Sequence, residues 1–203
     1  MVKHENTPNG NDGEMPQNHV ERVEGCISRV VEQFEENPEL FLTESDLKCR
    51  MFLELNGDQV FSQIEMTRGG NKKTNYVHSE TAYFVLGKLN KRRVDITVVK
   101  PSNYDFNLGE VQTRDVVSRK GYSFDEPSIG IELKLNKRKT KTAMEKELKQ
   151  VLDDLDLLKR TRPESTFYLL FIDKKSGFTP EEIATWQNRY PDMKIFYAFR
   201  PLG

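Results

Sequence analysis

Cysteine is scarce in this chain. Cys26 and Cys49 are the only two in 203 residues, and their spacing fits no thiolate metal motif. That excludes a disulfide-stapled scaffold, and the expectation is reduced thiols in the cytoplasm. Long apolar runs are missing too. Nothing approaches the roughly 18 residues of a membrane helix, and the opening MVKHENTPNGNDGEMPQ lacks the apolar centre of a secretory leader. No membrane partner is expected. Net charge is nearly absent: 31 Lys and Arg against 32 Asp and Glu leave −1. Bulk charge therefore gives no argument for nucleic acid, and any such case rests on local clusters. Neither GxxxxGK[ST] nor GxGxxG occurs, so the common phosphate loops are ruled out and SGF at 176–178 is a plain turn. There is no internal repeat.

What remains is enough for one domain with a core. Residues 1–18, rich in Asn, Gly, Pro and Glu, read as a disordered tail, and 19–203 as a single domain. Val20, Val23, Ile27, Val30, Val31 and Phe34 recur at helical steps until EENPEL breaks them. A second helix starts at Thr43, a cap answered by Asp46, and carries Leu47, Met51 and Leu55 on one stripe until NGD at 56–58. QVFSQIEM fits either a helix or a strand. YVHSETAYFVL and RRVDITVV then read as strands joined by GKLNKR, and IGIELKL as a third. Between the last two lies a polar insert, 100–127, with a short helix expected around Glu110 to Ser118. A basic turn leads into a helix with Met144, Leu148, Val151, Leu152, Leu155 and Leu158 on one face. FYLLFI has the continuous apolar character of a strand covered on both sides. TPEEIATWQNRY is a capped helix in which Trp186 and Tyr190 pack, and KIFYAF closes as a strand. The order reads α, β, β, β, α, β, α, β. Three successive strands predict an antiparallel meander and the later β-α-β units a parallel crossover, hence an α/β fold with a mixed sheet.

The pattern acid-any-Lys occurs five times, at Asp46/Lys48, Glu132/Lys134, Glu147/Lys149, Asp173/Lys175 and Asp192/Lys194. In a chain so rich in charge, one such pair means little by itself. Two of the five lie in helices, where residues two apart do not share a face. Only Glu132/Lys134 lies inside an alternating strand, where i and i+2 stand about 6.5–7 Å apart on one side. Either they form a surface ion pair of little energetic consequence, or they are half of a metal-dependent site. Asp95 is the acid that decides between them. It alternates with Val94 and Ile96 in the preceding strand, on the side away from their apolar face. If the two strands pair, Asp95 and Glu132 converge on one cation, with the Leu133 carbonyl as a further ligand. A hard ion such as Mg²⁺ needs few carboxylates and keeps open positions for water and phosphate oxygens.

VD at 94–95 with ELK at 132–134 resembles the PD-(D/E)XK, or restriction-endonuclease-like, nuclease superfamily, with Val94 at the proline position of the motif. The likeness covers roughly Thr43 to Asp173 and in topology reaches the C-terminus. It implies a helix, a three-strand meander, a helix and a further strand, with a C-terminal helix and strand added. It also implies Mg²⁺, or Mn²⁺ in its place, on Asp95, Glu132 and the Leu133 carbonyl, with Lys134 beside the attacking water. Members often add an acid on the first core helix. Glu44 fits that place, and Glu80 in VHSE is its competitor; His78 shares the face of Glu80.

Three basic clusters flank the expected site: Arg68, Lys72 and Lys73; Lys88, Lys91, Arg92 and Arg93; and Lys137, Arg138, Lys139 and Lys141. They are the candidate phosphate contacts. The resemblance thus implies a metal-dependent nuclease acting on DNA, with endonuclease favoured and RNA not excluded. A nucleic-acid-binding module of the same fold without useful catalysis is the alternative. Specificity would come from the insert, a homodimer or a partner protein.

Overall fold

The computed structural model describes residues 17–68, 70, 72–84, 91–105, 123–124 and 127–201. Most of the expected tail, the helix anticipated at Glu110 to Ser118, and Lys88 lie outside these residues.

Two helices cover one face of the sheet. α1 spans Gln17–Glu36 and α2 spans Glu44–Gly57. α1 begins two residues inside the expected tail, because His19 is the first residue of its inner stripe. His19 stands 5.7 Å from the rings of both Phe61 and Tyr76. Val23, Cys26, Ile27, Val30 and Phe34 continue that stripe. α2 opens with the expected capping box: the Thr43 hydroxyl accepts from the Asp46 N–H, and the Asp46 carboxylate accepts from the Thr43 N–H at 2.6 Å. This satisfies two N–H groups that the first turn would otherwise leave bare. Leu47, Met51 and Leu55 are its buried residues, as their spacing predicts. Arg29–Glu54 at 2.7 Å and Arg22–Asp58 at 3.0 Å tie the two helices together.

The ambiguous QVFSQIEM resolves into turns followed by a short strand β1, Glu65–Met66, paired with β2, Lys73–Thr74. The main sheet has five strands: β3 (Val77–Phe84), β4 (Lys91–Val99), β7 (Ser128–Asn136), β8 (Thr166–Asp173) and β9 (Lys194–Phe199). They lie in the order β3-β4-β7-β8-β9. The first three run as the expected antiparallel meander, and the last two add in parallel. Lys91, assigned to a turn on sequence, belongs to β4, which otherwise begins where RRVDITVV was read. Between β4 and β7 the chain forms β5 (Tyr104–Asp105) and β6 (Ser123–Phe124), which pair antiparallel and bring the ends of the insert together.

α3 (Lys141–Thr161) and α4 (Pro180–Arg189) cover the other face. α3 buries Met144, Leu148, Leu152, Leu155 and Leu158 against Phe167, Leu169 and Phe171 of β8. α1 and α2 pack on Ile96, Ile131, Leu133, Leu170 and Ile172. Helices on both faces of a mixed sheet make this an α/β fold. Among the described residues, no helix is long and apolar enough to cross a membrane.

The assignment of Val94, Ile96 and Val98 to one apolar face needs correction. Ile96 and Val98 join the α1/α2 core, but Val94 packs on the α3 side with Phe167. Both faces are covered, so neither is a solvent face. The regular alternation breaks at Asp95, which stands between them.

Candidate active site

β4 and β7 pair only over Ile96–Val99 and Ser128–Ile131, four register pairs. Extending that register by one step sets Asp95 opposite Glu132, and there the ladder stops. Beyond it, β4 continues against β3 alone and β7 against β8 alone. The two strands part as the arms of a V, with Asp95 at its apex. One carboxylate oxygen of Asp95, Oδ2, accepts the Leu133 backbone N–H at 3.0 Å, replacing the bond that a continuing strand would have made. Within a strand, the N–H and C=O of one residue leave on the same side. The Leu133 carbonyl therefore also turns toward the gap.

The spacing of thirty-seven from Asp95 to Glu132 does not keep them apart, because the β5–β6 pair brings the two ends of the 100–127 insert together. Glu132 and Lys134 share a face as the pleat requires, and Lys134 Nζ lies 3.0 Å from Glu132 Oε1. Lys134 also reaches Glu44 Oε1 at 3.6 Å, which places the first residue of α2 at the rim. The side chains of Asp95, Glu132 and Lys134 are 14, 15 and 14% exposed, sheltered yet reachable. Burial is the main cause that pushes the Glu132 carboxyl up to about 7, with Asp95 and Glu44 adding to it and Lys134 opposing. Burial alone would lower the Lys134 ammonium, but Glu132, Glu44 and Asp95 together hold it above the ordinary lysine range. Lys134 is thus a fixed cation beside a carboxyl that titrates near neutrality.

Sequence reasoning missed a second lysine. Lys48, one turn after Glu44 on α2, sits 2.9 Å from Asp95 Oδ1 and also pairs with Glu80. Its signal was present in the Glu44-to-Lys48 spacing of four, which puts both on one helix face. Glu80 has φ 54°, a left-handed backbone at a non-glycine residue, inside β3 and opposite Asp95. Such a conformation costs on the order of 1–3 kcal/mol and persists only where its surroundings hold it. Here regular pairing on both sides and the Lys48 contact hold it. Both candidate extra acids therefore lie at the site, Glu44 against Lys134 and Glu80 against Lys48. His78 is a packing residue: its ring lies 4.5 Å from that of Tyr104, and burial lowers its pKa.

The basic candidates divide. Arg92 pairs with Asp154 of α3 at 2.9 Å, Lys141 with Glu182 at 2.6 Å, and Lys139 with Glu147. Lys137 donates to the Leu42 carbonyl, just before α2. Arg68, Lys72 and Lys73 lie around the β1–β2 pair, whose connection to the site runs through the Arg68 N–H on the Tyr104 carbonyl at 3.0 Å. Arg93 and Arg138 are exposed.

The chain matches no family model, no curated protein and no solved structure. The chemistry of the site has to speak for itself. Among the described residues, no group of three or more His, Cys, Asp or Glu side chains is arranged as a metal cage. A hard ion that keeps most of its water needs only one or two carboxylates, and Asp95 and Glu132 with the Leu133 carbonyl are the residues that could hold one.

Proposed function

We propose that this protein is a Mg²⁺-dependent nuclease of restriction-endonuclease-like fold that hydrolyses phosphodiester bonds in DNA, with internal cleavage favoured. The parting of β4 and β7 carries the reading, because it gathers Asp95, Glu132 and Lys134 where a strand ladder would otherwise run. The element order and the mixed sheet support the same family.

Asp95 and Glu132, with the Leu133 carbonyl, would hold the metal ion. Mg²⁺ bound there would supply a Lewis acid for the phosphoryl oxygen and a more acidic water. The residues of the chain do the rest. Asp95 is oriented by the Leu133 N–H, so its second oxygen is aimed before substrate arrives. Lys134, kept protonated by three carboxylates, orients the attacking water and balances the negative charge that develops on the phosphorus oxygens. Glu44 steadies Lys134 from the helix side. The partly sheltered gap lowers the local dielectric, which strengthens each of these charge interactions. Lys73, Arg93 and Arg138, all exposed, are the first candidates for phosphate contacts along the flanks.

The test is an incubation with supercoiled, linear and branched DNA and with RNA, in Mg²⁺, Mn²⁺ or EDTA. Cleavage is expected with either metal and not in EDTA. Asp95→Ala and Lys134→Ala are expected to lose at least about a hundredfold in rate while DNA binding survives. Cleavage that persists in Lys134→Ala moves the chemistry elsewhere. Binding without cleavage under every metal assigns the chain to the non-catalytic module of the same fold.

A further inference from the structure

The Lys48 ammonium bridges Glu80 and Asp95, and its contact with Asp95 falls on Oδ1, the oxygen that Leu133 leaves open. A divalent ion on Asp95 and a lysine on the same carboxylate compete for one oxygen and repel each other. Glu80 offers Lys48 a second anchor, fixed at that position by its left-handed backbone. We propose that Lys48 is a resident counter-cation that sets the metal-ion threshold of this site. It holds Asp95 in the metal-free protein and gives up that carboxylate, keeping Glu80, when a divalent ion binds at Asp95 and Glu132. The proposal rests on the metal site of the nuclease reading and adds a device that regulates its occupancy. Lys48 is a positioning residue, since it acts through Asp95. The other charged groups around it are Glu44, one turn earlier on α2, and Lys134, across the gap on Glu132.

The experiment is calorimetric titration of the full chain with MgCl₂ and MnCl₂, alongside the thermal midpoint at each metal concentration. Lys48→Met, which keeps length and removes charge, is expected to lower the Mg²⁺ midpoint by about tenfold. Lys48→Gln reads the same shift should Lys48→Met fail to fold. Lys48→Arg, which restores the charge, is expected to stay near wild type. Glu80→Gln is expected to raise the midpoint, because it removes one carboxylate and leaves Lys48 to Asp95 alone. An unchanged or higher midpoint in both neutral variants overturns the threshold role and leaves the nuclease reading standing. No metal binding in wild type or in any variant overturns both. A lowered midpoint without DNA cleavage supports the threshold and removes the nuclease assignment.

Discussion

At the scale of single residues, Glu132 carries the most distinctive chemistry. Its carboxyl is pushed from 4.5 up to about 7, chiefly by burial. The folded protein therefore holds this proton more tightly than the unfolded chain does between those values. The stability that the protonated group contributes is complete below about pH 4.5 and is lost as pH rises through 7. In EDTA, unfolding free energy measured by denaturant is expected to fall across that window by on the order of 2–3 kcal/mol. Glu132→Gln is expected to flatten that slope, and a wild-type curve equally flat refutes the assignment. The pairing of Glu132 with Lys134 was legible in the sequence because a pleat fixes which side i and i+2 take. For Lys48 the sequence held only its helix face, shared with Glu44, and not its partners. Its partners, Asp95 and Glu80, come from two strands that only tertiary packing brings under α2. Asp173, the last residue of β8, is fully buried and accepts from Asn136, from the N–H groups of Lys175, Ser176 and Gly177, and from the Tyr197 hydroxyl. A lone Asp followed by KKSG gives no hint of the Asn and Tyr that complete its shell.

At the scale of elements, the helices and their caps were the most readable parts. Thr43 with Asp46 and Thr179 with Glu182 both form the boxes their spacing implies, since cap chemistry is settled within four residues. Strands were readable as strands, but their faces were not. The β4 pattern suggests one apolar side, and a sheet covered on both sides defeats that inference. Gly130 shows why the β4–β7 contact is so tight. A Cβ there would lie 2.7 Å from Phe167 Cδ1 and 3.3 Å from Val94 Cγ1. The absent side chain lets Val94 cross to the α3 side just before the strands part. Gly130→Ala is expected to cost about 1–3 kcal/mol in chemical denaturation, because ring and strand must both shift. A cost near zero would mean that Phe167 turns aside freely.

At the scale of the whole molecule, the order of elements predicted the mixed sheet correctly, because strands in succession without an intervening crossover helix pair antiparallel and the β-α-β crossovers pair in parallel. The insert was the part that sequence could not place. Its closure depends on two register pairs, Tyr104–Phe124 and Asp105–Ser123, that no periodicity announces. Replacing 106–122 with a four-residue Gly/Ser hairpin loop should therefore leave the fold intact. The expected result is a thermal midpoint within about 5 °C of wild type and an unchanged Mg²⁺ titration. A collapse in stability would show that the insert is part of the core.

The V between β4 and β7 has a mechanical side. Its two arms differ in stiffness. The β7 arm is riveted at its far end, where Asn136, Asp173 and Tyr197 join three neighbouring strands through one buried carboxylate. The β3–β4 arm joins β7 through four register pairs and the Asp95–Leu133 bond, with Arg92 on Asp154 tying it to α3 and Lys48 strapping it to α2. On that geometry Lys48 ties the open side of the V to the helix layer, so the gap is strapped on one arm and riveted on the other.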